Sequence, residues 1–384
     1  LNLSLARSLC RTVAVALTCS AWSACGVSER VEGVAPEAAA EIAPAARTAA
    51  LALRHGDSVI VARMADDARA IAAAGLPRSS DGLIGGNRDW GAMYAARFQM
   101  GTGAALRVAL QGGGTSDVLA AFGGIEVGLQ CMAPSGALAA RLPLTVSFGR
   151  EPAPIDVASG AAFYLGDACL GLLALEADPA RDRLVPAARR RAVRGELAVA
   201  ARWLATQSTV LLAGDAGAPN RLLFDARALA GCGLLTDDAT VRTAANTFVS
   251  AWQQLVDPAG WFNEGGGWDT SYQAVSLDIG MDVAMILPDG GPRASLLTGL
   301  RSGGAWLGAR VRADGRVNNA GNRRTCEGGE SFLGEPKSLA LTSVVMGLAK
   351  VALIGGTGPA DATLFDAARR VATWARANPM TDPC

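Results

Sequence analysis

Apolar residues recur along this chain at helical spacing from about residue 34 onward, and the two-residue alternation of strands is scarce. The pattern predicts helices at roughly 35–53, 58–75, 88–110, 115–131, 157–175, 186–212, 219–234, 238–256, 269–287, 293–312, 337–354 and 360–377. Glycine, proline and aspartate punctuate the breaks, as in "QGGGTSD", "EADPARD", "LTDD", "LPDGGPR" and "GGTGPAD". One strand pair is expected, in "ALAARLPLTVSFG", where Val146 and Phe148 flank polar positions.

Two alternations fall into step. Connections after the segments beginning at 58, 115, 186, 238 and 293 are mostly long and glycine-rich, whereas those after 88, 157, 219, 269 and 337 are short. Helices entered from the long connections are apolar almost all round, as in "ASGAAFYLGDACLGLLAL" and "KSLALTSVVMGLAKVALIG". Helices that follow short turns are amphipathic, as in "PAARRRAVRGELAVAARWLATQ". A helix apolar on every side is buried, and one with a polar face borders water. The expected class is therefore all-α, with inner and outer layers of helical hairpins; an ordinary bundle or solenoid is the alternative. Imperfect repeats agree with the layered reading: "FYLGDACLGLL", "LLFDARALAGCGLL" and "SLDIGMDVAMIL" each set an aspartate in an apolar inner helix.

This organisation resembles the (α/α)6 toroid of many glycoside hydrolases and polysaccharide lyases, a fold also used by some terpenoid-processing enzymes. The resemblance spans about residues 35–378 and rests on architecture, not on a family motif. It implies one toroid domain over 35–384, inner helices starting at a single rim, and a substrate cleft built by the long loops there.

Composition narrows the chemistry. Half of the 384 residues are apolar, enough for a large core. The formal net charge is zero, so no electrostatic argument favours nucleic acid as a partner. His55 is the single histidine, which removes Ser-His-Asp and Cys-His catalysis and most zinc sites. No metal-ligand spacing and no cofactor motif is present, so neither a metal nor a cofactor is expected. Arg7 and Arg11 precede the short apolar run "TVAVALTCSAWSAC", which reads as a signal peptide over 1–25, followed by a linker over 26–34. The ending at Cys25 suits either lipoprotein processing, with membrane attachment through a lipid on Cys25, or ordinary cleavage. Both readings send the protein out of the cytoplasm, as a periplasmic, outer-membrane or secreted protein. Beyond Cys25 five cysteines remain. Cys326 and Cys384 are expected to pair, and Cys169 and Cys232, on apolar inner helices, read as buried free thiols.

The chemistry is expected where polar and aromatic residues gather, above all in "GWFNEGGGWDTSYQ", residues 260–273. Four loops should meet at the rim. Their candidate substrate-binding residues are Asn87, Arg88 and Trp90 in the first; Asn220, beside Asp215 and Arg221, in the second; Trp261, Trp268 and Gln273 in the third; and Asn322, Arg324, Glu330 and Lys337 in the fourth. Amides, arginine, acids and flat aromatic faces are what a sugar site uses. Tyr94, Tyr164 and Tyr272 fall near the starts of proposed inner helices, and Tyr164 joins the binding set. Tyr272, Glu264, Asp269 and Arg323 are the catalytic candidates. In β-elimination from a uronate glycan, an asparagine or an arginine such as Arg323 neutralises the carboxylate, and Tyr272 takes the proton and donates to the leaving oxygen. Hydrolysis instead needs two carboxylates across the scissile bond. Two further readings are a non-catalytic glycan-binding surface protein and a terpenoid isomerase or dehydratase.

Overall fold

The computed structural model describes residues 95–130, 132–140, 151–332, 335–355, 359–379 and 382–384. The expected leader and linker, the helices predicted at 35–53 and 58–75, Asn87, Arg88, Trp90, Tyr94 and Cys131 lie outside these residues, as does most of the predicted strand pair.

The described chain is mostly helical. Its long helices are α1 (Thr102–Gly112), α2 (Thr115–Leu129), α3 (Pro154–Glu176), α4 (Ala187–Thr206), α5 (Pro219–Thr236), α6 (Ala239–Gln253), α7 (Thr270–Ile286), α8 (Gly291–Gly308), α9 (Leu341–Gly355) and α10 (Pro359–Ala377). A small antiparallel pair, β1 (Ser331–Phe332) and β2 (Glu335–Pro336), interrupts the loop before α9. The odd-numbered helices pack in series, α1 on α3, α3 on α5, α5 on α7 and α7 on α9. Each even-numbered helix packs on the odd-numbered helix before it and, more lightly, on its even neighbours. Two layers result. In α5 every residue from Pro219 to Leu235 is buried except Arg221, as an all-round apolar pattern requires. Helix α3 is long and apolar enough to cross a membrane, yet it is a core helix, buried over nearly its whole length.

Three predicted boundaries move, each for a local reason. The helix expected from 88 becomes a 3-10 turn at Ala96–Gln99 and then α1, separated by Gly101 at φ +106°. The helix expected over 186–212 breaks at Gln207, which leaves helical geometry before a short turn at Ser208–Gly214. The last inner helix starts at Leu341, because Lys337 is held in the preceding hairpin by its N–H donating to the Glu330 carbonyl (2.8 Å).

The aspartates of the inner helices organise the centre. Asp167 of α3 takes the N–H groups of Gly101, Gly103 and Ala104 on one oxygen (2.8, 2.7 and 3.2 Å), which caps α1 from outside its own helix. Asp282 of α7 meets Lys350 of α9 at 2.8 Å, Arg227 of α5 at 3.4 Å and Arg107 of α1 at 3.8 Å. Lys350 also binds Asp278, and Arg107 reaches Asp167 at 3.4 Å. Burial pushes the Asp282 carboxyl up, but Lys350, Arg107 and Arg227 outweigh it and hold it below the ordinary range. Side chains from α1, α5 and α9 thus meet on one carboxylate of α7.

Cys326 and Cys384 form a disulfide, with Cα atoms 5.2 Å apart. Cys169 and Cys232 are also bonded, at 5.1 Å, which corrects their reading as free thiols. They face each other across α3 and α5, and burial alone looks the same for a thiol and a bridge.

Tyr164 is likewise reassigned. It sits in the third turn of α3, fully buried, and its hydroxyl donates to the Ile125 carbonyl of α2 at 2.5 Å. Its ring lies on Gly128, where a Cβ would come within 2.2 Å of a ring carbon. Gly128→Ala should cost about 1–3 kcal/mol, the usual effect of overpacking, and a thermal melt of that variant checks it.

Candidate functional site

The long loops that precede α5, α7 and α9 touch one another. Gly265 N–H donates to the Gly217 carbonyl (3.0 Å), and Arg323 N–H donates to the Trp268 carbonyl (3.0 Å). The loops at 260–268 and 313–336 therefore share a face.

Much of the polar inventory here builds the face itself. Asp269 caps α7 by accepting from Ser271 and Tyr272 N–H (3.0 and 3.1 Å) on one oxygen. Its other oxygen accepts from the N–H groups of Arg324 and Thr325 (2.9 and 2.8 Å). With both oxygens occupied and 1 % exposed, Asp269 is a clip between two loops, not a group available to substrate. Gln273 accepts from Phe262 N–H and donates to the carbonyls of Gly260 and Gly303. Asn322 ties Thr270 to Thr325 through both ends of its amide. Trp268 is covered by Arg310, 3.9 Å above the ring, and by Gly321, with Trp306 edge-on. Gln273, Asn322 and Trp268 were expected to meet sugar, and each is spent on the scaffold. Trp261 is half-buried, with no ring or cation on it among the described residues. Arg323 is exposed and lies beside Gly267.

What remains is a compact charged group around Tyr272. Arg324 lies over the tyrosine ring (4.5 Å) and Lys337 is 5.7 Å from its centre. Arg324 binds Glu264 with one edge and Glu330 with another (3.0 Å), and Lys337 closes on Glu330 at 2.6 Å. No described residue hydrogen-bonds the Tyr272 hydroxyl. Glu264 is 2 % exposed; one oxygen meets Arg324 and the other has no partner. Burial, with help from Asp269, pushes its carboxyl up to about 7 against the pull of Arg324 and Arg221.

The loop before α5 adds the rest. Arg221, in the first turn, bonds Asp215 at 2.9 Å. Asp215 is fully buried, beside Ser159 of α3, and burial pushes its carboxyl up against the pull of Arg221. Asp225, one turn below Arg221, is buried with neither oxygen hydrogen-bonded; burial and then Asp215 push it well above the usual carboxylate range. Asn220 is buried with its amide oxygen unpartnered. Arg97 rests on the Phe163 ring (4.7 Å) and lies within Coulombic range of Arg221 and Tyr272. Arg97, Ser159 and Asp225 were not singled out from the sequence. Only Asp225 carried a signal, as the repeated aspartate of an inner helix.

Glu264 gives this site a pH signature. Between its ordinary value of 4.5 and about 7, the folded chain holds a proton that the unfolded chain has lost. Stability should therefore fall as pH rises through that window. Glu264→Gln should flatten the fall and melt higher than the parent at pH 8; denaturant titrations at pH 5 and pH 8 check it.

No family model, no curated protein and no solved structure matches this chain.

Proposed function

We propose that the chain is an exported enzyme that cleaves an acidic glycan by β-elimination. The observation that carries the reading is Tyr272, whose hydroxyl no described residue bonds, on a face where Arg324 and Lys337 lie against its ring and Arg97 acts on it electrostatically. In the reaction the deprotonated form of Tyr272 is the one that takes the proton from the carbon that bears the carboxylate. The electron pair of that C–H bond becomes a carbon–carbon double bond. The bond from the next carbon to the glycosidic oxygen breaks, and the leaving oxygen takes the proton of Glu264. A carboxyl raised to about 7 is suited to a general acid at neutral pH. Charge that builds on the phenol oxygen faces Arg324, Lys337 and Arg97.

The row of five described hairpins supports the (α/α)6 toroid as its finer architecture, with the helices predicted at 35–53 and 58–75 as the sixth hairpin. Two disulfides fit an oxidising compartment outside the cytoplasm.

A second reading is a glycoside hydrolase, favoured by Glu264 as a protonated acid with Glu330 as the ionised partner. Glu330 shares Arg324 with it and, against the pull of burial, is held below the usual carboxylate range by Lys337 and Arg324. The two separate on a panel of anionic and neutral polysaccharides, scored for new reducing ends and for the ultraviolet absorbance of unsaturated uronates. Elimination predicts both signals, on uronate polymers only. Reducing ends from neutral polymers would favour hydrolysis.

A further inference from the structure

We propose that Arg221 receives the carboxylate of the substrate, with Arg97 as the second cation on the same group; this rests on the acidic-glycan reading above. The arginines of the 313–336 loop are placed for other work. Arg324 is committed to Glu264, Glu330 and the Tyr272 ring, and Arg323 is exposed beside Gly267.

Arg221 differs from both. Its partner Asp215 is 0 % exposed, whereas the Arg221 side chain is 31 % exposed. One edge of the guanidinium is therefore anchored on a buried carboxylate, and the rest of the side chain is partly exposed. Only Nη1 bonds Asp215, so the fork keeps further donors in the planar geometry that fits a carboxylate. Arg221 also stands among the groups that matter to the reaction, within Coulombic range of Glu264, Asp225 and Arg97. Arg97 lies flat on Phe163, which stacks on Phe224 at 4.0 Å, and Arg227 covers the far ring. That stack fixes Arg97 within the repulsive field of Arg221. An anion bound by Arg221 is also attracted by Arg97, which interacts electrostatically with both Arg221 and Tyr272.

The test uses galacturonate, glucuronate and mannuronate tetrasaccharides and their methyl esters. Binding is read by calorimetry and cleavage by initial rates, for the parent protein, Arg221→Gln, Arg221→Lys and Arg97→Gln. The parent should bind at least one acid and prefer it to its ester by about tenfold or more. Arg221→Gln should erase that preference and weaken binding of the acid by about tenfold or more, with little change for the ester. Arg221→Lys should recover part of the loss, since it restores the charge without the fork. Arg97→Gln should weaken the acid alone, by less. No binding of any acid by the parent, or equal losses on acid and ester, would overturn the assignment. Binding that follows these expectations without cleavage would sink the elimination reading and leave the carboxylate site standing.

Discussion

Tyr272→Phe should lower turnover on a uronate polymer by about a hundredfold, the scale of one positioned acid–base group, with substrate binding largely retained. The substitution removes one hydroxyl, and that hydroxyl bonds nothing among the described residues, so the fold loses little. The ring keeps its place under Arg324, whose pairs with Glu264 and Glu330 do not depend on the phenol oxygen. Rates and affinities measured side by side check the split. Full activity in Tyr272→Phe together with inactivity of Glu264→Gln would move the chemistry to the carboxyls.

Asp282→Asn should destabilise the fold by about 3–5 kcal/mol, the cost of removing one partner from a buried ion pair. Arg107, Arg227 and Lys350 converge on this carboxylate from three other helices, and the side chain is 2 % exposed. Without it, Asp167 and Asp278 must balance three cations, and Arg227 loses its only charge partner among the described residues. Asp289→Asn is the control, because its pair with Arg293 is 96 % exposed on the acid side and screened by water. Denaturant midpoints should separate the two variants clearly.

The helices were legible because their signal is periodic and repeated. Most boundaries fall within a few residues of those the apolar pattern predicts. The failures are single backbone events, such as the positive φ at Gly101 and the break at Gln207, which no periodicity carries. The meeting of the loops before α7 and α9 also followed from the alternation of loop length. Residue roles were harder to read. Asp269, Gln273, Asn322 and Trp268 have the chemistry of a sugar site, but long loops need the same amides and acids to satisfy their own backbone. Sequence does not distinguish an amide that binds Thr270 from one that binds a hydroxyl of a ligand. Arg97 was invisible for the opposite reason, since it lies in an ordinary stretch and becomes relevant only when the fold sets it on Phe163 and within the field of Arg221. The bridge between Cys169 and Cys232 depends in the same way on which inner helices are neighbours and at what height.

The most direct measurement of the central claim is the ratio of new double bonds to new reducing ends as the parent enzyme digests a uronate polymer it cleaves. Elimination breaks the bond to the leaving oxygen and leaves a double bond in the other product, so each cut yields one of each. The account predicts a ratio of one throughout the digestion. Reducing ends that accumulate without ultraviolet absorbance would contradict it.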